Sequence, residues 1–148
     1  AAHVARLRAE EPDTLVVGAG DLIGASPLAS ALTHDEPSIA LMDALGLDVS
    51  SVGNHEFDEG ADELLRLQRG GCRADDSACK PPGFPGARFT YLAANVFDRN
   101  GNTFLPGTAL KKVGGATIGF VGVVLHETPS VVTPSGIAGS PSAMRRTR

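Results

Sequence analysis

The chain of 148 residues lacks two features that would place it in a class at once. No stretch approaches the roughly 18 consecutive apolar residues that a helix needs to cross a bilayer, so we expect no transmembrane segment. Basic residues are not in excess either, since 13 lysines and arginines face 17 aspartates and glutamates. A protein that binds nucleic acid through its phosphates needs a basic face, and we therefore expect no nucleic-acid polymer as partner.

Cysteine is scarce as well. The two cysteines, Cys72 and Cys79, enclose the sequence RADDSA in a stretch rich in glycine and proline. They have no second pair with which to build a zinc site. Their spacing is short enough for a disulfide, which would indicate an oxidising compartment, and two free thiols of a cytosolic protein are the alternative.

The order of apolar segments predicts an α/β fold. Residues 1–11 have the pattern of an amphipathic helix that ends at Pro12, and residues 14–20 form a short β-branched run typical of a buried parallel strand. Helical periodicity follows, with its clearest stretch at residues 37–47, before a second strand at 48–53 and a helix at 61–71. Alternation of this kind predicts a parallel sheet flanked by helices.

The second half of the chain is less regular. Residues 70–88 read as a surface excursion, and residues 89–96 and 116–124 read as further strands. Residues 109–115 look like the antiparallel hairpin partner of the last strand, which would make the sheet mixed but mostly parallel. The last nine residues, 140–148, lack apolar periodicity and are predicted to be a disordered tail.

Polar side chains follow both of the first two predicted strands. Asp21 is the first polar residue beyond the first strand, and the sequence GNHEFDEG, at 53–60, places Asn54 directly after the second. Parallel strands deliver their carboxyl ends to one edge of a sheet, so we expect Asp21 and Asn54 to lie close together. The local alternatives are that Asp21 caps the next helix and that Asn54 only supplies a tight turn.

These residue types suit metal and proton chemistry. A carboxylate can bridge two divalent cations and an amide oxygen is a neutral hard ligand, which makes Asp21 and Asn54 candidate metal ligands. Asp58 can reach back to one ring nitrogen of His55, fixing its tautomer and raising its proton affinity, so the two are a candidate catalytic pair. The alternative is a surface histidine beside an unrelated helix cap. Glu56 is predicted to bind backbone amides rather than a metal.

A different function is indicated by the sequence GAGDLIG, from Gly18 to Gly24. It is similar to a glycine-rich dinucleotide loop, which follows a strand and opens a helix. Asp21 would repel a pyrophosphate there, and Pro27 delays the helix that should hold it. The alternative function is therefore a nucleotide-binding α/β module without catalysis.

Taken together, GDLIGASP at 20–27, GNHEFDEG at 53–60, MDALGLDVSSV between them and YLAANVF after them resemble the bacterial 5'-nucleotidase branch of the calcineurin-like metallophosphoesterases. The resemblance runs from about residue 4 to about residue 139. It implies a partial αββα sandwich and a centre of two divalent metal ions, which could be zinc, manganese, magnesium or calcium. It also implies that Asp21 bridges the metals, Asn54 binds one of them, and His55, oriented by Asp58, stabilises the transition state.

The reaction implied by this resemblance is hydrolysis of nucleoside monophosphates or related nucleotides by attack of a metal-activated hydroxide on phosphorus. The implied location is periplasmic or secreted. The Asp-x-His pair of a first strand, the later histidine motifs and the C-terminal substrate domain of the family have no counterpart here. We therefore expect residues 1–139 to be a partial domain, the tail to be disordered or out of frame, and the chain alone to be inactive.

Overall fold

The computed structural model describes residues 1–98 and 100–132. The elements in chain order are α1 (Ala2–Glu10), β1 (Val17–Gly18), α2 (Leu28–Ala31), α3 (Glu36–Leu45), β2 (Val49–Ser51), a 3₁₀ turn (His55–Phe57), α4 (Ala61–Arg69), β3 (Thr90–Leu92), β4 (Thr108–Val113), β5 (Ala116–Val121) and α5 (Thr128–Val131). The predicted tail at 140–148 and the domain limit predicted at residue 139 lie outside the described residues.

Strands β1, β2 and β3 form a parallel sheet in that order. The predicted α/β class is therefore confirmed. The ladders are shorter than the predicted strands, because the chain turns away after each strand to build loops. Val16 and Asp48, the residues just before β1 and β2, are also joined by two hydrogen bonds. The amide of Val16 donates to the Asp48 carboxylate at 2.9 Å, and the amide of Asp48 donates to the Val16 carbonyl at 2.8 Å.

Strands β4 and β5 form the predicted antiparallel hairpin. It is a separate two-stranded ladder rather than a strand pair within the parallel sheet. The two ladders meet beyond the end of β3, where the amide of Ala93 donates to the Pro106 carbonyl at 2.9 Å and the amide of Ala94 donates to the Gly122 carbonyl at 2.7 Å. The parallel and the antiparallel strand pairs therefore belong to two separate ladders.

The helices cover the sheet to different extents. Helix α1 forms where predicted and has no buried residue, and Arg8 attaches it to the end of α3 by donating to the carbonyls of Leu45 and Gly46 at 2.9 and 2.6 Å. Helix α4 buries Leu64 and Leu67 in the core. Within the described part of the chain, no helix is both long and apolar enough to cross a membrane.

The hydrophobic core lies between the parallel sheet and the helices. Its largest fully buried side chains include Ile39, Phe57, Leu64, Phe89 and Tyr91. The rings of Phe89 and Tyr91 meet edge to face with their centroids 4.9 Å apart. Because Phe57 belongs to the 3₁₀ turn after β2, burial of its ring fixes that turn against the core.

Residues 70–88 are irregular, as predicted, and include the disulfide between Cys72 and Cys79, with the two Cα atoms 5.7 Å apart. This segment is more than a surface excursion. Phe84 and Ala87 pack against the core, and the Arg66 guanidinium lies over the Phe84 ring at 5.5 Å. The loop is therefore attached to helix α4 through Arg66 and closed on itself by the disulfide.

Candidate functional site

The candidate site is built at the carboxyl ends of β1 and β2. Asp21 lies in the loop after β1 with φ of 55°, a left-handed backbone conformation that is uncommon outside glycine. Its Oδ1 atom accepts a hydrogen bond from the backbone N–H of His55 at 3.1 Å. The Asp21 carboxylate therefore rests on the turn that begins with Asn54, and the predicted convergence of the two strand ends is present.

Two glycines make this close approach possible. A Cβ atom on Gly53 would collide with the Asp21 carboxylate, although the backbone conformation of Gly53 is not left-handed. A Cβ atom on Gly20, which has φ of 97°, would lie 2.5 Å from the Gly53 nitrogen. Both positions therefore require glycine because the two loops are in backbone contact.

Glu56 ties the same two loops together from the buried side. Its side chain is 3% exposed, and its carboxylate accepts hydrogen bonds from the amides of Leu22 at 2.8 Å, Asp21 at 2.9 Å and Gly53. Burial raises the pKa of Glu56 against the opposing effect of these hydrogen bonds. The prediction that Glu56 binds backbone amides is confirmed, and the amides come from both loops.

His55 and Asp58 are in direct contact across the 3₁₀ turn. His55 Nδ1 lies 2.7 Å from Asp58 Oδ2. This hydrogen bond is the main reason that the pKa of His55 is raised above its ordinary value, and the negative charges of Asp21 and Glu56 act in the same direction. The alternative in which Asp58 caps the next helix is wrong, because Gly60 occupies the cap position of α4 and no side chain caps it.

Asn54 begins the turn with its backbone carbonyl, which accepts from the Phe57 amide at 3.0 Å. Its side chain is partly exposed. Within residues 1–98 and 100–132 the side-chain amide of Asn54 has no hydrogen-bond partner. Its oxygen is consequently available to a ligand.

A metal ion is the ligand that these two oxygens suit chemically. Asp21 and Asn54 supply hard oxygen donors, but divalent cations of this kind bind about four to six donor atoms. In the part of the chain that the structure describes, no group of three or more His, Cys, Asp or Glu side chains is arranged to hold a metal. The described residues therefore do not complete a metal centre by themselves.

The glycine-rich loop from Gly18 to Gly24 is not a phosphate cradle. The backbone amides of Asp21 and Leu22 are taken by Glu56, and the amide of Gly24 donates to Asp35 at 2.9 Å. A loop that binds a pyrophosphate offers such amides to the ligand and continues into a helix. Here α2 begins only at Leu28 and has four residues, so the geometry does not favour the dinucleotide-binding alternative.

One further residue, Asp35, shapes the site region although no sequence pattern points to it. Asp35 is 5% exposed and accepts from Ser30 Oγ at 2.7 Å as well as from Gly24. Burial alone would raise the pKa of Asp35, but these hydrogen bonds outweigh it and lower the value. Asp35 has a left-handed backbone conformation. Hydrophobic periodicity carries no information about such a conformation and therefore does not identify Asp35.

Asn95 follows β3 and bonds to backbone that is 29 positions away in sequence. Its amide group forms two hydrogen bonds to Val124, at 2.7 Å from Nδ2 to the carbonyl and 3.0 Å from the Val124 amide to Oδ1. Asn95 therefore joins the end of β3 to the segment after β5. His126, two residues beyond Val124, lies in an exposed turn.

The chain is similar in sequence to several known proteins. No protein-family model matches the chain. The chain is 42% identical over 138 residues to Endonuclease YhcR of Bacillus subtilis (strain 168), covering 93% of the chain and 11% of that protein. It is 34% identical to Cell wall protein Lmo0130 of Listeria monocytogenes, covering 82% and 16%, and 31% identical to the 5'-nucleotidase of Mus musculus, covering 88% and 21%.

Among solved structures, a nucleotidase and a phosphoesterase align with the chain. The NAD nucleotidase NadN of Haemophilus influenzae aligns with a TM-score of 0.63 and 26% identity over 83% of this chain and 22% of that one. The calcineurin-like phosphoesterase YfkN of Bacillus subtilis aligns with a TM-score of 0.64 over 86% and 39%, and its 24% identity supports the fold alone. The chain spans between 11% and 57% of the length of the first relatives it matches.

Proposed function

The chain belongs to the 5'-nucleotidase branch of the calcineurin-like phosphoesterases, and from this premise we propose that it supplies part of the active site of a nucleotide-hydrolysing enzyme. The reaction is cleavage of the phosphate ester of nucleoside monophosphates or related nucleotides. The observation that carries this proposal is the contact of the Asp21 carboxylate with the Asn54–His55 turn, beside a histidine held by Asp58.

Each of these residues has a defined task in the proposal. Asp21 and Asn54 provide two oxygen ligands, and the remaining ligands of a divalent cation pair lie outside the described residues. Such cations, when bound, activate water and neutralise charge on a phosphoryl group. His55 binds Asp58 through Nδ1, so its Nε2–H can donate to a phosphoryl or leaving-group oxygen that gains negative charge.

A spectroscopic experiment tests the ligand assignment on the chain itself. Substoichiometric Mn²⁺ is added to the ¹⁵N-labelled chain, and paramagnetic broadening of the backbone amide signals is followed. We expect selective broadening around Asp21 and residues 53–55, and loss of that selectivity in Asp21→Asn. Broadening that is centred elsewhere, or unchanged in the variant, would show that these residues are not metal ligands.

Activity is the second test. Because two oxygen donors are too few to hold a cation pair, we expect negligible phosphate release from nucleoside monophosphates by the 148-residue chain with added Mn²⁺ or Zn²⁺. Substantial turnover that disappears in Asn54→Ala would contradict the expected inactivity of the chain while supporting the role of Asn54. Turnover equal in both proteins would contradict the site assignment.

A second candidate substrate class is the phosphodiester. It is favoured by the 42% identity to a protein named an endonuclease. The net charge of −4 argues against it, because this chain offers no excess of basic residues to a polynucleotide. Parallel assays of a catalytically competent form with a nucleoside monophosphate and with single-stranded DNA distinguish the two substrates.

We also propose a location in the cell envelope or outside the cell. One relative is a cell wall protein, and the Cys72–Cys79 disulfide suits an oxidising compartment. The base of the substrate would be recognised by a further domain, since the chain spans 21% of the mouse 5'-nucleotidase. Thiol quantification of protein isolated from cell fractions checks the location, because two free thiols in a cytosolic fraction would contradict it.

A further inference from the structure

Glu59 joins two distant segments next to the proposed catalytic pair. It directly follows Asp58, and its Oε2 atom lies 2.7 Å from His34 Nδ1 and 2.7 Å from Arg73 Nη1. His34 belongs to the connection between α2 and α3, and Arg73 belongs to the disulfide loop. Two segments that are far apart in sequence therefore meet on the residue beside Asp58.

Arg73 is itself firmly held. Its guanidinium contacts Asp75 at 3.0 and 3.1 Å within the loop and Glu63 of α4 at 3.2 Å, in addition to Glu59. The preceding residue, Cys72, is bonded to Cys79. Only 20% of the Arg73 side chain is exposed. Arg73 is therefore a fixed cation rather than a mobile surface charge.

The loop around Gly24 makes further contacts with the turn and with the segment that contains His34. The Gly24 amide donates to Asp35, the neighbour of His34, and Gly24 packs so closely on the turn that a Cβ atom there would collide with the His55 carbonyl. Such an atom would also lie 2.8 Å from Asp58 Oδ2. The 3₁₀ turn is thus contacted by the Gly24 loop and is followed directly by Glu59, which binds His34 and Arg73.

We propose that Arg73, fixed in the loop closed by the Cys72–Cys79 disulfide, is a positioning residue for the Asp58–His55 pair and acts through Glu59. The proposal rests on the proposed function only in that His55 and Asp58 are the catalytic pair. The physical reason is that a 3₁₀ turn of three residues has few hydrogen bonds of its own and needs external contacts to stay in one conformation.

The test compares Arg73→Gln with Arg69→Gln. Arg69 is an exposed arginine at the end of α4 and makes no ion pair with the rest of the described chain, so it controls for the loss of one positive charge. For Arg73→Gln we expect amide hydrogen exchange at His55 and Asp58 to become about fivefold faster, the effect of one partly exposed ion pair. The ¹⁵N signals of the His55 ring should also shift at constant pH, because its bond to Asp58 weakens.

A conservative variant and a second route separate positioning from general stability. Arg73→Lys keeps the charge and should recover most of the His55 ring signal, whereas the double variant Cys72→Ser with Cys79→Ser should reproduce the effect of Arg73→Gln. If Arg73→Gln does not fold, Glu59→Gln tests the same contact from the other side.

Two results would overturn the proposal. One is an unchanged His55 ring signal in Arg73→Gln and in the double cysteine variant. The other is a uniform rise of exchange over helix α4 and the sheet, with no larger effect at the turn. Since neither readout requires substrate or metal, failure of this proposal is distinguishable from failure of the proposed hydrolase function.

Discussion

The Oδ1 atom of Asp21 lies 3.1 Å from the backbone nitrogen of His55, although the two residues belong to loops after different strands. The parallel register explains the meeting, because Gly18 pairs with Ser50 and the two strands end at the same level. A carboxylate, an amide and an imidazole are thereby collected at one edge of the sheet. Variants that separate the two loops should therefore disturb the whole group at once.

Gly53→Ala is the smallest change that should separate them. The added methyl group would collide with the Asp21 carboxylate, so either the carboxylate or the turn must move. Such overpacking costs about 1–3 kcal/mol of unfolding free energy. Urea denaturation measures the cost, and loss of the selective Mn²⁺ broadening reports the displaced carboxylate.

Gly119→Ala is the matched control for this substitution. Gly119 lies in β5, and its added Cβ would meet Leu110 at an ordinary distance of 3.5 Å. We expect its unfolding free energy to stay within about 0.5 kcal/mol of the original chain. Equal effects of the two alanines would show that the Gly53–Asp21 contact is not specific.

Glu56→Gln should weaken the connection between the loops without changing side-chain size. Three backbone amides now point to the Glu56 carboxylate, and a glutamine would present an N–H₂ group to at least one of them. A buried amide without an acceptor costs about 1–3 kcal/mol, which we expect as the loss in unfolding free energy. The exposed Glu11→Gln should change stability little, and a comparable loss there would contradict this explanation.

Asp58→Asn should alter the pH dependence of stability. The pKa of His55 is raised from 6.5, chiefly by the hydrogen bond to Asp58, so the protonated ring stabilises the folded state. This contribution is complete below the unfolded pKa near 6.5 and disappears as pH rises through the higher folded value. The difference in unfolding free energy between the original chain and Asp58→Asn should therefore be largest at acid pH and shrink above neutrality.

NMR titration of the His55 ring checks the cause directly. In Asp58→Asn the pKa of His55 should fall, because its main stabilising partner has lost its charge. An unchanged pKa, or a stability difference that grows with pH, would exclude the proposed ion pair as the source of the effect.

Sequence periodicity predicted the elements whose pattern is local. Helix α4, which has a strong amphipathic pattern, forms between Gly60 and Gly70. The hairpin β4–β5 forms from two apolar runs that are adjacent in sequence. Strand lengths were overestimated, because apolar composition does not show where a ladder ends. Residues after Gly18 and Ser51 leave the sheet to make loop contacts that involve partners more than 30 positions away.

The candidate site likewise has contacts that the sequence predicts and contacts that it does not. The contact between His55 and Asp58 spans three positions and was predictable, as was the convergence of Asp21 and Asn54 from parallel topology. The left-handed conformations of Asp21 and Asp35 were not predictable, since both residues take part in hydrogen bonds between a buried carboxylate and a backbone amide at least 11 positions away. Metal binding and the catalytic roles of these residues remain predictions.

Asn95→Ala tests a connection that the sequence did not reveal. Its amide group exchanges two hydrogen bonds with the backbone of Val124, which is 8% exposed, and so joins the parallel sheet to the segment after the hairpin. Truncation leaves a buried N–H and a buried carbonyl unpaired, and we expect a loss of about 1–3 kcal/mol in unfolding free energy. Hydrogen exchange should become faster at Val124 while α1 is unaffected, because the lost bonds act only where the two ladders meet. The exposed Asn100→Ala serves as control, and an equal loss of stability in both variants would mean that Asn95 does not fasten these ladders together.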